Sequence, residues 1–254
     1  MPVPLQRVTV PSIYKVKGEA VPLPTRLAWA SPDMAGAIDA VAAALRAKSG
    51  RLVLSDLFRS YDMQLQAHLD YVQKRKTAYS PPPGGSLHEA GRALDLDLGS
   101  LKMTLATFWP IARSCGLTPI IAKPDGGADE AWHFECRGSH ALVYDYYKAG
   151  NGVNFDKPYK AMAASAILGS AIRVDVFGEN QSAAYVQSGL IRLGHKLGNM
   201  DGLIGGKTRV ALSAAGITAT ALPKMVEQVE QRLQAKFPAE FFTTTVNAEH
   251  HALT

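Results

Sequence analysis

From residue 86 the chain reads Ser86-Leu87-His88-Glu89-Ala90-Gly91-Arg92-Ala93-Leu94-Asp95-Leu96-Asp97-Leu98, and further on Glu130-Ala131-Trp132-His133-Phe134-Glu135. Leu94, Leu96 and Leu98 alternate with Asp95 and Asp97, the period of a strand with one apolar face. In the second block Trp132 and Phe134 take one face, His133 and Glu135 the other. Burying the leucines therefore sets two carboxylates beside a histidine at the margin of a core, where an unpaired carboxylate is costly. A bound cation would relieve that cost. The two blocks supply two imidazoles, a carboxylate at ligand spacing and a spare carboxylate three residues before the second imidazole. This is the donor set of a zinc centre that keeps its fourth position open.

At 254 residues and 47% apolar composition the chain is long enough for a catalytic domain with a small companion, and too apolar to be disordered. A net charge of +5 suits an anionic polymer such as a cell wall, yet no Lys/Arg run is dense enough for a nucleic-acid footprint. Cys115 and Cys136 make at most one bridge, form no zinc-finger spacing and are expected as unpaired buried thiols. The start, Met1-Pro2-Val3-Pro4-Leu5-Gln6, has neither the basic nor the apolar region of a signal peptide. No apolar run reaches the roughly 18 residues of a membrane span. The expectation is a protein made in the cytoplasm without a signal peptide, not inserted in a membrane, and monomeric.

Taken in order, residues 1–30 are proline-rich and read as an extended surface arm. Ser31-Pro32-Asp33 starts a helix with Met34, Ile38, Val41 and Leu45 on one face and Gly50 as a stop. Leu52 to Phe58 reads as a strand, Arg59 as its corner, and Ser60 as the cap of a helix with Leu65, Leu69 and Val72 on its apolar stripe. Helix is expected from Leu101 to Cys115, kinked near Pro110, then strands over Leu117 to Ala122 and Trp132 to Cys136, then helix from Ser139 to Lys148. The fold class expected is α+β: a peptidase-sized domain over 1–149 with a small antiparallel sheet flanked by helices. A linker over 150–165 follows, then a small all-α three-helix domain over 166–237 and a weakly held tail over 238–254 that contains His250 and His251.

His88, Asp95 and His133 can be the three protein ligands of one zinc ion per chain. Glu130, at a loop junction off the ligand face, is the natural general base, with Glu89, Asp97 and Glu135 as competitors.

At these residues the sequence resembles the zinc D-Ala-D-Ala carboxypeptidase family, which also holds the L-alanyl-D-glutamate endopeptidases of phage endolysins. The S-x-H-x-x-G-x-A-x-D signature is met by Ser86, His88, Gly91, Ala93 and Asp95, and the E-x-W-H-F-E block by Glu130, Trp132, His133, Phe134 and Glu135. Phe58, Arg59, Ser60, Tyr61 and Gln64 extend the resemblance, which covers roughly residues 30 to 148. It implies zinc on His88, Asp95 and His133, Glu130 as catalytic base, Arg59 in a catalytic and substrate-facing role, and substrate contacts from Ser86, Trp132 and Gln64. Asp97 is left as a supporting partner.

The helical part resembles the peptidoglycan-binding modules appended to wall hydrolases, through Val186-Gln187, Leu190, Leu193-Gly194, Gly198, Asp201-Gly202, Gly205, Thr208 and Ala211-Leu212. The function this implies is a zinc-dependent peptidase of the peptidoglycan stem or cross-link, of the phage endolysin type, acting on the wall after release. A bacterial D-Ala-D-Ala carboxypeptidase is the alternative within that class. A wall-binding protein without turnover is the alternative outside it.

Overall fold

The computed structural model describes residues 5–242. The N-terminal segment is extended, as β1 (Gln6–Arg7), β2 (Pro11–Val16), β3 (Glu19–Pro22) and β4 (Trp29–Ala30). Helix α1 (Pro32–Arg46) opens with Pro32 in its first turn, where a missing N–H costs nothing, and buries Met34, Ile38, Val41 and Leu45 as the spacing predicts. It stops before Gly50, where a Cβ would stand 2.4 Å from the Leu101 carbonyl oxygen.

Strand β5 (Leu54–Asp56) leads to α2 (Tyr61–Val72), whose Ser60 cap accepts the Met63 N–H. Here the expected stripe does not pack. Leu69 is 38% and Val72 58% exposed, and the fully buried residue of the helix is Gln64. Strand β6 (Ala93–Leu96), helix α3 (Leu105–Ser114), strands β7 (Thr118–Pro119) and β8 (His133–Glu135) and helix α4 (Ala141–Lys148) follow.

The main sheet has six strands in the order β3-β2-β5-β6-β8-β7. All pairings are antiparallel except β2 with β5, which run parallel. This departs from the purely antiparallel sheet expected. Its reason is the long connection between the two strands, which includes α1 and supplies the crossover a parallel pair needs. The N-terminal arm is thus half wrapping and half sheet. Beneath the sheet, Leu54, Leu94, Leu96 and Phe134 pack with Ile38, Val41 and Leu45 of α1 and Phe108 of α3.

Helix α5 (Pro158–Gly169) begins inside the stretch expected as linker, and its alanines at 161, 163, 164 and 166 are buried on every side. A helix apolar all round must lie inside a core, and small side chains let it. That core takes in Leu87, Ala90 and Ala93 of the His88 segment, Val143 and Tyr146 of α4, and residues of α6 (Gln181–Leu193), α7 (Gly206–Ala214) and α8 (Leu222–Lys236). Within it Gln187 ties the following loop: its Nε2 donates to Asp201 and to the Leu203 carbonyl, and its Oε1 accepts from the Asp201 and Gly202 N–H groups.

A buried charge cluster fastens the two cores together. Arg92 donates to Asp33 at 2.7 Å, and Arg192 donates to Glu240, which also accepts from the backbone and hydroxyl of Ser139. Burial, with Arg192 and Arg92 beside it, keeps His140 neutral by holding its pKa well below the ordinary value. Two cations and two anions therefore balance. Residue 238 is the expected start of a weakly held tail, yet Pro238–Glu240 forms a helical turn with Glu240 only 4% exposed. The rest of that segment, His250 and His251 included, lies outside the described residues. Cys115 and Cys136 are free, and Cys136 is buried with its thiol pushed far up by burial.

Removing one member of a buried charge set strands the others, at a cost on the order of 3–5 kcal/mol. Glu240→Ala should therefore lower the unfolding midpoint by roughly 6–20 °C for a chain of this size, while the exposed Glu179→Ala should change stability by no more than about 0.5 kcal/mol. Equal midpoints for the two variants in one calorimetric series would remove the cluster as a clamp.

Candidate metal centre

The centre is built on a row across the sheet, because Asp95 of β6 lies opposite His133 of β8 on one side and Asp56 of β5 on the other. The row places three polar side chains next to one another on the face away from the leucine core. His88 arrives from a short 3₁₀ turn, Leu87–Ala90, and local chemistry explains that turn. Ser86 and Glu89 form a reciprocal capping box. Gly91 ends the turn at φ 60°, where a Cβ would meet Ala30 and Leu5 at 3.0 Å. The serine and glycine of the motif are therefore structural demands.

His88 is 2% exposed, and its Nδ1–H donates to the Leu57 carbonyl oxygen at 2.8 Å. A carbonyl can only accept, so the proton is on Nδ1 and Nε2 carries a lone pair. That Nε2 is buried with no hydrogen-bond partner. It lies 3.4 Å from Asp95 Oδ1, and His133 Nδ1 lies 2.9 Å from the same oxygen. The three ligand atoms fall within 4.8 Å of one another. Donors at about 2.0–2.1 Å from a tetrahedral zinc stand about 3.3 Å apart, so the residues present fit the ion. The orphaned Nε2 is the observation that decides it, since a buried acceptor aimed at nothing is expensive.

Charge points the same way. Burial alone would raise the Asp95 carboxyl, but His88 and His133 outweigh it and hold it well below the usual carboxylate range. Burial alone would lower His133, but its hydrogen bonds to the carboxylates of Asp95 and Glu135 outweigh that and push it up to about 10. Two carboxylates beside neutral imidazoles favour positive charge between them. A divalent cation meets that demand.

Glu130 stands at the end of the turn before β8 with φ 63°, a left-handed conformation that costs a non-glycine residue about 1–2 kcal/mol. Its carboxylate takes no hydrogen bond from any described residue, and it lines a cleft of about 420 Å³ together with His88, Asp95 and His133. Burial raises its pKa, with His133 opposing. The competing carboxylates are engaged elsewhere. Glu89 accepts from the Gly84 and Ser86 N–H groups, and burial pushes it up to about 7. Glu135 is held by Tyr159 and Arg137, each at 2.6 Å. The period-two reading put Asp97 beside Asp95, but β6 ends at Leu96, and Asp97 instead caps the next 3₁₀ turn by accepting from Gly99 N–H.

Arg59 is at the cleft wall. Its Nε donates to Asp56 at 2.6 Å, its Nη1 to Gln64 at 3.3 Å, and its Nη2 stands 3.5 Å from Asp95. With five N–H groups on a guanidinium, at least two remain for another partner. Ser86 and Trp132 also line the cleft. Gln64 is placed behind it, fully buried, donating to Ser80 and to the Pro81 carbonyl. Sequence reasoning assigned no role to Tyr159, which reaches the site from α5, nor to Lys76, Tyr79, Arg137 and Tyr144 along the cleft. No local pattern announces them, because each comes from a segment that folding alone brings near.

No protein-family model matches the chain, and no curated protein does. Among solved structures it is similar to a zinc-bound mutant of the vancomycin-resistance D,D-pentapeptidase VanY, at 16% identity and TM-score 0.36, covering 53% of this chain and 82% of that one. It is also similar to the LD-carboxypeptidase LdcB, at 20% identity and TM-score 0.35, covering 54% and 85%. Likenesses this distant assign no family, and the reading of the site rests on its own geometry.

Replacing His88, Asp95 or His133 by Ala should lower zinc affinity by more than the roughly 10–100-fold lost when a ligand's outer partner is removed. Competition with a chromophoric chelator measures this. Any variant that keeps parental affinity identifies a residue that does not ligate.

Proposed function

We propose that this chain is a zinc-dependent peptidase that acts on peptidoglycan. The observation that carries the reading is the buried, unpartnered His88 Nε2 beside Asp95 and His133, with Glu130 free at the rim of the same cleft. His88, Asp95 and His133 would hold one zinc ion. Bound there, it would supply Lewis acidity and lower the pKa of water toward neutrality. Glu130 takes a proton at its carboxylate and returns it to the leaving amine, a role that suits a carboxylate raised by burial and not tied down by hydrogen bonds. Arg59 turns its spare N–H groups to a substrate oxygen, either a developing oxyanion or a carboxylate of the peptide stem. Ser86 and Trp132 line the approach.

The finer reading is an endolysin-type enzyme that cuts the stem or cross-link. In this reading the helices α6–α8 hold the wall through the groove of about 520 Å³ beside Asn151, Asn199, Asp201 and Lys207. Support for it is the Gly-rich loop that Gln187 fixes, which follows the pattern of wall-binding modules. A carboxypeptidase trimming the stem is the second reading, favoured by Arg59, Lys76 and Arg137 around the cleft, which suit a terminal carboxylate. No helix among the described residues is long and apolar enough to cross a membrane.

Glu130→Gln keeps the shape and removes the proton acceptor. Zinc content and unfolding temperature should stay near the parent while kcat falls by at least about 100-fold. In the parent, turnover should fall as pH drops through a pKa above the ordinary value of about 4.3 for glutamate, because the base must be ionised. Assays on purified sacculi that found the variant turning over at more than about a tenth of the parental rate would give the base role to another group.

A further inference from the structure

The helical half reaches into the metal centre through one side chain. Tyr159, in the first turn of α5, donates its hydroxyl to Glu135 Oε1 at 2.6 Å. Tyr159 also packs against the apolar core that takes in Leu87, the residue before His88. Glu135 Oε1 in turn stands 3.4 Å from His133 Nε2, while the other carboxylate oxygen accepts from Arg137. One hydroxyl therefore holds the carboxylate behind His133, and the same residue lines the cleft.

We propose that Tyr159 is a positioning residue of the metal centre. It fixes Glu135 as the acceptor of the His133 Nε2 proton, which leaves the His133 Nδ1 lone pair directed at the ion. This rests on the zinc reading given above and deepens it. An imidazole ligand is oriented by the hydrogen bond its other nitrogen makes, and that partner is in turn held by its own neighbours. Asp56 and Arg59 do not perform this task for His133. They contact Asp95 on the opposite side of the row. The consequence is that the helical half is part of the site itself, since the group that orients the His133–Glu135 pair comes from α5.

The test uses the full chain and zinc alone as the probe. Tyr159→Phe retains the ring and removes the hydroxyl. Its zinc affinity should fall by roughly 10-fold to 100-fold, together with some loss of stability in the zinc-free protein because Glu135 loses a buried donor. Tyr147→Phe is the contrast, because Tyr147 donates to Asn154 and accepts from Met200 N–H and is not among the residues that line the cleft. It should lose stability and keep zinc affinity.

A double-mutant cycle tests the route. In a Glu135→Gln background, Tyr159→Phe should change zinc affinity by less than about threefold, because the carboxylate through which it acts is gone. If the parent binds zinc and Tyr159→Phe binds it equally well, the role of Tyr159 is overturned while the metal reading stands. If Tyr159→Phe keeps its full effect in the Glu135→Gln background, the route through Glu135 is overturned. A parent that binds no zinc overturns the metal reading, and this proposal with it.

Discussion

A carboxylate buried on the central strand of a sheet must be met by positive charge, and Asp95 imposes that demand on everything around it. Arg59 answers on one side, shared with Asp56, and the two imidazoles answer on the other. Neither histidine is free to turn away. His88 is fixed by its bond to the Leu57 carbonyl, and His133 by Glu135 behind it. The sheet supplies the register, the capping box supplies the turn, and the lone pairs converge as a result. What remains unmatched is an acceptor with no donor, which is the condition a metal ion satisfies.

The parts of this arrangement that could be read from the sequence are those governed by local rules. Alternation gave the faces of β6 and β8, and Ser86 and Gly91 mark a cap and a left-handed turn that their types suit. The helices α1, α6, α7 and α8 follow their apolar spacing and their proline or glycine boundaries. Local rules mislead where a strand is shorter than its pattern. Asp97 continues the alternation on paper, yet the chain has already turned into a 3₁₀ segment that needs a cap. They mislead again in α2, where the regularly spaced Leu69 and Val72 face outward and the polar Gln64 is the residue inside, because its amide has three partners waiting.

Residues that work through distant partners leave no such trace. Arg192 and Glu240 are far apart in sequence and meet in a cluster that also takes in Arg92, next to the motif glycine. Tyr159 lies in a stretch whose composition suggested a linker, and α5 forms there because tertiary burial of its alanines outweighs the turn-rich approach. Both cases concern how the helical half is joined to the sheet half. The join is made of a shared apolar core and a balanced set of charges, so the cleft and the helices behind it belong to one packed structure. Rigidity of that kind is what a metal centre needs, since ligand placement tolerates errors of only about half an ångström.

The most direct measurement is anomalous diffraction at the zinc edge from crystals of the full chain grown with stoichiometric zinc. The account predicts a single strong peak within bonding distance of His88 Nε2, His133 Nδ1 and an oxygen of Asp95, with Glu130 facing it across the cleft. A peak held by other residues, or no peak there at full zinc loading in solution, would contradict it.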